Sequence, residues 1–431
     1  MANSIVFSNN PYQLQTQIYG VNSNQTVAIQ TDANGNLLTK LTSADGTNNP
    51  YSIPLTAFND LRTTSLTPLD GWTFNYNINS DYITTTLVSG GTATQANSMA
   101  ILSTGVANNG SAKIATLKVL HYSPGLGALA RFTAIFTTGA ASSQQIIGLG
   151  DDTDGFYFGY NGTVFSILRI QNGTLNWTSQ TNWNGDKMNG SGPSGMILDT
   201  AKGNVYTIQY QWLGFGVINF YLTSTTTGQP ILVHRIQYPN TAIVPSVYNP
   251  SFPLTAKVIN SGNTSNIVLQ TPSAMAFCEG DGNSQAIVTR NSINASIFLN
   301  TPTNRNVITL LNTSTFAGKT NRTRVLLDFV STSIAGERGV LFKILRNATF
   351  GTTLTYTSIN ANTSVIQYSS TSSSATGGIQ IFSFENPING GSQLLLSSLN
   401  IFLAPGETLT LQATSTQDTQ LDCSLSWDEL W

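Results

Sequence analysis

Charge is what this chain has least of: Asp, Glu, Lys and Arg make up 9% of its 431 residues, against about 25% in an ordinary soluble domain. With 18 basic and 20 acidic residues the formal net charge is -2, and no stretch gathers Lys and Arg. That excludes a nucleic-acid partner, which needs clustered cations to displace counterions. There are two histidines, His121 and His234. Each stands alone in a strand-like run, without a Cys, His or carboxylate at ligand spacing, and so reads as a core or interface residue. There are also two cysteines, Cys278 and Cys423, far apart in apolar surroundings. They read as buried thiols and exclude a disulfide-dense scaffold, while leaving their own pairing open. No run approaches the ~20 apolar residues of a membrane span, so no membrane partner is expected. The opening residues 1–10 lack a basic segment and an apolar segment, so no Sec signal is expected. An extracellular protein of this kind is released by lysis or by a dedicated assembly route.

Neutral hydrogen-bonding residues fill the places charge has vacated. Hydrophobic residues reach 40% and aromatics 10%, enough for packed cores. Short runs of Val, Ile, Thr, Phe and Tyr recur about every ten residues between Gly, Asn, Asp and Pro. Examples lie at 26–31, 132–136, 156–158, 164–168 and 205–212. Asn-Gly pairs at 34–35, 161–162, 172–173 and 184–185 mark two-residue hairpin turns, since both residues tolerate positive φ. Helical periodicity never lasts beyond two turns. The expected fold is all-β, with two antiparallel, jelly-roll-like β-sandwich domains and an N-terminal β arm or hairpin. The arm covers 1–65, with one hairpin on residues 31–38 and too few apolar residues for its own core. A large sandwich covers 66–285, with a polar link starting at Asp281, and a smaller sandwich covers 286–431.

Several ordered segments are more specific than composition. They are Tyr122–Gly127, Trp183–Asp199, Tyr206–Gly216, His234–Asn240, Val244–Leu254 and Asn260–Thr264, then Leu345–Phe350, Thr376–Gly378 and Leu403–Ala413, closing at Ser424–Trp427. Together, over residues 70–431, they resemble structural proteins of tailed bacteriophages and some large viruses, found as tail-fibre or virion-surface components. The first 40 residues, with Thr16–Gly20 and the 31–38 hairpin, are also similar to uncharacterised surface proteins of spore-forming bacteria. The resemblance implies an extracellular setting on a virion, cell or spore surface, and it carries no catalytic residues. Read on their own, these segments are scaffold. Gly190–Gly195 lacks the Lys and helix start of a phosphate loop. Pro245, Pro250 and Pro253 fix an extended loop that stops edge pairing.

Three constellations bear on chemistry. Asp152, Asp154 and Gly155 fit part of an oxygen-ligand calcium loop, but the later bidentate Glu is missing and the stretch reads as a hairpin loop. Glycan cleavage needs two carboxylates roughly 5–10 Å apart. The acidic pairs Asp151/Asp152 and Asp428/Glu429 read instead as loop and terminal charges, and no cofactor is implied. Tyr160, Trp177 and Trp183 sit in a loop-rich stretch where exposed rings beside amides would stack on a sugar, the alternative being hairpin packing. The chain therefore reads as a non-enzymatic structural subunit of an extracellular fibre or appendage. Its expected partner is itself, as a trimer or filament. The alternative function is a carbohydrate-binding receptor module for cell-surface glycan.

Overall fold

The computed structural model describes residues 19–22, 25–28, 63–280, 288–300, 304–336 and 338–431. It divides into one unit at Met1–Thr64 and a second at Ser65–Trp431. In the first unit Tyr19–Asn22 pairs antiparallel with Gln25–Ala28. The hairpin expected on residues 31–38 and the link from Asp281 lie outside the described residues.

The second unit contains two sandwiches, because period-two alternation gives each strand one apolar face to bury. Met99–Ser103 and Ile218–Thr223 alternate buried and half-buried along their whole length. In the large sandwich one sheet has seven strands. Their order is Thr174–Ser179, Val164–Gln171, Gly155–Asn161, Ser143–Gly150, Leu254–Asn260, Ser111–Thr116 and Ile83–Val88, and every pairing is antiparallel. The facing nine-stranded sheet runs from Pro230–Ile236 through Ile218–Thr223 and Asn204–Tyr210 to Gly127–Phe136. There it forks, one half of Gly127–Phe136 pairing Ser273–Glu279 and the other Val268–Thr271. Between the sheets lies an aromatic core. Phe158 touches Phe132, Tyr206 and Phe220, at ring separations of 6.4, 5.0 and 5.4 Å.

The smaller sandwich faces a five-stranded sheet against a six-stranded one. Thr419–Leu430 is central to the first, between Val288–Leu299 and Arg324–Gly336. Its Trp427 is fully buried among Phe342, Ile344 and Leu411. Cys278 and Cys423 are both buried, in different sandwiches, and are not bonded to each other.

Asn172 and Gly173 form a two-residue turn between Val164–Gln171 and Thr174–Ser179, with φ of 47° and 80°. Asn184–Gly185 does not form the expected hairpin. Gly185 packs under Pro230–Ile236, and its N–H donates to the Val233 carbonyl at 3.0 Å. Asn184 Nδ2 reaches the Arg235 carbonyl at 2.8 Å. The glycine is needed there because a methyl would collide with the Leu232 carbonyl oxygen.

Candidate functional site: a groove between the two sandwiches

The residues expected to form a sugar platform do not meet. Trp183 is in the core, 1% exposed, its ring 6.2 Å from Phe158 and its Nε1 donating to the Thr178 carbonyl at 3.4 Å. Tyr160 packs edge-on against Phe165, and its hydroxyl bonds Thr200 Oγ1 at 2.8 Å. Trp177 lies on the other face of the same sheet, over Ile146, Tyr157, Leu168 and Ile170. Alternation along the strands separates these rings, which local composition cannot reveal.

Asp152 and Asp154, the candidate calcium ligands, have separate partners. Asp154 is buried, and its carboxylate accepts N–H bonds from Asn172 (3.0 Å), Tyr248 (2.9 Å) and Asn249 (3.3 Å). Asp152 lies between Lys113 and Lys257, 3.0 Å from each Nζ. Asp151 Oδ1 accepts the N–H groups of Thr153 and Asp154 at 2.8 and 3.1 Å. Each carboxylate already has its own donors, and no cluster of three metal-ligating side chains occurs among the described residues.

What this loop does instead is receive Arg322 from the smaller sandwich. Arg322 holds Asp151 with both ends of its fork, Nε to Oδ2 at 2.8 Å and Nη2 to Oδ1 at 2.6 Å. Nη1 donates to the carbonyls of Asn249 (2.9 Å) and Ser251 (3.2 Å), and Nη2 also donates to Thr153 Oγ1 at 2.8 Å. The guanidinium lies 5.6 Å from the Phe252 ring centre. Burial pulls the Asp151 carboxyl upward, but Arg322 and the Thr153 hydrogen bonds outweigh it and leave it below the usual carboxylate range. Arg322 is itself fixed by buried amides next to it. Asn321 Nδ2 donates to Asn312 Oδ1 at 2.7 Å and to the Thr313 carbonyl at 2.6 Å, and Asn321 Oδ1 accepts the Thr323 N–H at 2.8 Å.

Around this anchor the small hairpin Thr315–Phe316/Lys319–Thr320 stands against the loop 245–251. A hollow of about 210 Å³ lies on one side, lined by Phe316, Trp431, Asn249 and Thr320. A second, of about 190 Å³, lies on the other side, lined by Tyr248, Asn172, Asp154 and the same Lys319–Thr320 edge. Phe316 and Trp431 meet edge to face at 5.3 Å, and Tyr248 is 46% exposed.

Asp151, Asp154, Asn321 and Arg322 are held by internal partners, while several groups of the lining are not. Asn249 Nδ2, the Asn172 side-chain amide, Thr320 Oγ1, Tyr248 Oη, Trp431 Nε1 and Lys319 Nζ have no partner among the described residues. Free donors and acceptors beside exposed ring faces suit a polar ligand with an apolar face. Two signals for this groove exist in the sequence: the proline-fixed loop 245–253 and the Ala317–Gly318 turn, whose φ values are 48° and 73°. Neither shows that they meet.

No family model matches this chain, and no curated protein matches it. Among solved structures, a glycosyl hydrolase family protein from Mycobacterium fortuitum is 11% identical, covering 49% of this chain and 99% of its own, with a TM-score of 0.34. The Bacillus licheniformis beta-glucanase is 11% identical over 49% of this chain and 98% of its own, at 0.32. The Emp47p carbohydrate recognition domain is 9% identical over 51% and 97%, at 0.31. Likeness at this level carries nothing about what the chain binds or catalyses.

Proposed function

We propose that this protein is a non-catalytic carbohydrate-binding module whose glycan lies in the groove between its sandwiches. The observation that carries the reading is the contrast at that groove. Uncommitted amide, hydroxyl and ammonium groups flank Tyr248, Phe316 and Trp431, beside Arg322, Asp151 and Asp154, whose polar groups are held by internal partners. Sugars present alternating apolar and hydroxyl-bearing faces, which rings and amides answer together. The carboxylates nearest the groove, Asp151 and Asp154, are occupied by Arg322 and backbone donors, which favours binding over bond cleavage.

The setting we propose is a structural subunit of an extracellular fibre or virion-surface appendage. The resemblance over residues 70–431 and the low charge content, 9% of residues, support it. Negative-stain images showing only solitary particles would count against the fibre and leave the binding reading intact.

The binding test uses the full chain on a glycan array, followed by calorimetry with the best ligand. Tyr248→Ala and Phe316→Ala should each weaken binding about tenfold, equivalent to ~1.4 kcal/mol. Trp177→Ala, outside the groove lining, should leave it unchanged. Loss with Trp177→Ala but not with the groove variants would overturn the assignment.

A further inference from the structure

The strand Ile83–Val88 ends the seven-stranded sheet, and five of its six residues are exposed. Edge strands normally carry a charge, a proline or a bulge that blocks further pairing. Pro230–Ile236 carries Pro230 and Arg235, and a bulge interrupts its pairing with Ile218–Thr223. Val288–Leu299 carries Arg290, and Ile379–Asn386 carries Glu385. The sequence Ile-Thr-Thr-Thr-Leu-Val has neither charge nor proline, and its pairing with Ser111–Thr116 runs without a register shift. The edges Thr174–Ser179, Thr92–Ala96 and Gly391–Leu395 share those features, but each carries half-buried residues, whereas this strand is exposed from Thr84 to Val88.

Its hydrogen-bond direction can be read from its start. The Leu117 N–H donates to the Tyr82 carbonyl at 2.8 Å, while the Ile83 N–H turns back to the Asn79 carbonyl at 3.0 Å. Antiparallel ladders alternate, so Thr84 and Thr86 bond inward to Ser111–Thr116, and the Thr85 and Leu87 backbone groups face outward. No described residue answers those outward groups.

We infer that this edge pairs with the same edge of a second copy, about a two-fold axis through Thr85, joining two seven-stranded sheets into one. That register sets Thr85 opposite the partner's Thr85, Ile83 opposite the partner's Leu87, and Thr84 opposite the partner's Thr86. Outward groups then meet outward groups. Each Thr85 N–H finds the other Thr85 carbonyl, and each Leu87 N–H finds an Ile83 carbonyl. Same-face alternation is preserved, so Leu87, 49% exposed, gains an apolar neighbour. A net charge of -2 per chain opposes the approach only weakly. A six-residue edge buries less than the ~1,200 Å² of a standard interface, so the association belongs to the weak class.

The test is sedimentation velocity of the full chain from about 1 to about 100 μM, the range in which a weak pairing shows. Wild-type protein should shift from monomer to dimer. Thr85→Lys places two lysines opposite each other at the axis, and should weaken dimerisation at least about tenfold while keeping every backbone group. Thr85→Pro removes the outward N–H and should do the same; if it fails to fold, the lysine variant carries the test. In hydrogen exchange, the Thr85 and Leu87 amides should slow as concentration rises. A wild-type monomer at the highest concentration, or a dimer that persists in Thr85→Lys, overturns the inference. Amides protected equally at all concentrations would mean that a segment of the same chain covers the edge, and would overturn it as well.

Discussion

Asp70 is a carboxylate on Leu66–Thr73 with little access to water. Its Oδ1 accepts the Gly71 N–H at 2.9 Å, while its buried Oδ2 has no hydrogen-bond partner. Burial raises its pKa from 3.8 to about 7, against the lowering pull of Thr116, Gly71, Lys118 and Arg324. The folded chain therefore keeps this proton up to neutral pH, while the unfolded chain releases it near the ordinary value. Between those two points the folded state binds more protons, so stability is highest at acid pH and falls as pH rises through about 7. Chemical denaturation should show a loss on the order of 2–4 kcal/mol between pH 4 and 8, since one pKa unit is worth about 1.4 kcal/mol. Asp70→Asn should flatten that slope and be the more stable protein at pH 8. An unchanged slope in the variant would assign the pH dependence to other groups.

At the scale of elements, alternation and turn chemistry made much of the fold legible. The runs at 132–136, 156–158 and 164–168 lie inside the strands Gly127–Phe136, Gly155–Asn161 and Val164–Gln171. The Asn172–Gly173 turn joins its neighbours in register, whereas Asn161 ends its strand opposite Val164 and the turn there falls one residue later, on Gly162–Thr163. Legibility fails where the partner is distant. Asn184–Gly185 has the same dipeptide, yet it answers a strand some 50 residues on, where Asn184 bonds Arg235. Trp183 sits in a polar stretch and is nonetheless core, because its burial depends on Phe158 and Phe165 rather than on its chain neighbours. Gly159 is equally silent in sequence. It allows Gly155–Asn161 to approach Ser143–Gly150 closely, and a methyl there would collide with the Gln145 carbonyl oxygen. Gly159→Ala should cost about 1–3 kcal/mol by forcing the pair apart. An equilibrium unfolding curve superposable on wild type would refute that close approach.

For the molecule as a whole, the groove is a product of docking and of neither sandwich alone, which is why no single stretch of sequence announced it. Asp151 and Asn249 lie 171 and 73 residues before Arg322, and the rings that flank the hollows come from residues 248, 316 and 431. Further contacts join the sandwiches among the described residues. Arg346 Nη2 meets the half-exposed Asp81 at 3.1 Å, and Lys118 Nζ lies 4.6 Å over the Phe402 ring. Asp81 is half-exposed, so its ion pair contributes little, whereas both partners of the Arg322–Asp151 pair are largely buried, and removing Arg322 takes the donor from Asp151 Oδ2 and from two carbonyls. Arg322→Ala should therefore cost roughly 3–5 kcal/mol, the usual consequence of deleting one partner of a buried pair. Its calorimetric trace should split into two transitions, one per sandwich, where wild type gives one. Arg322→Lys keeps the charge but loses the fork that reaches Asp151 and the carbonyls together, so it should split the trace as well. Glycan binding should fall in both variants, even though every ring lining the groove is retained. A single transition in Arg322→Ala, with binding intact, would show that the sandwiches stay docked without this anchor.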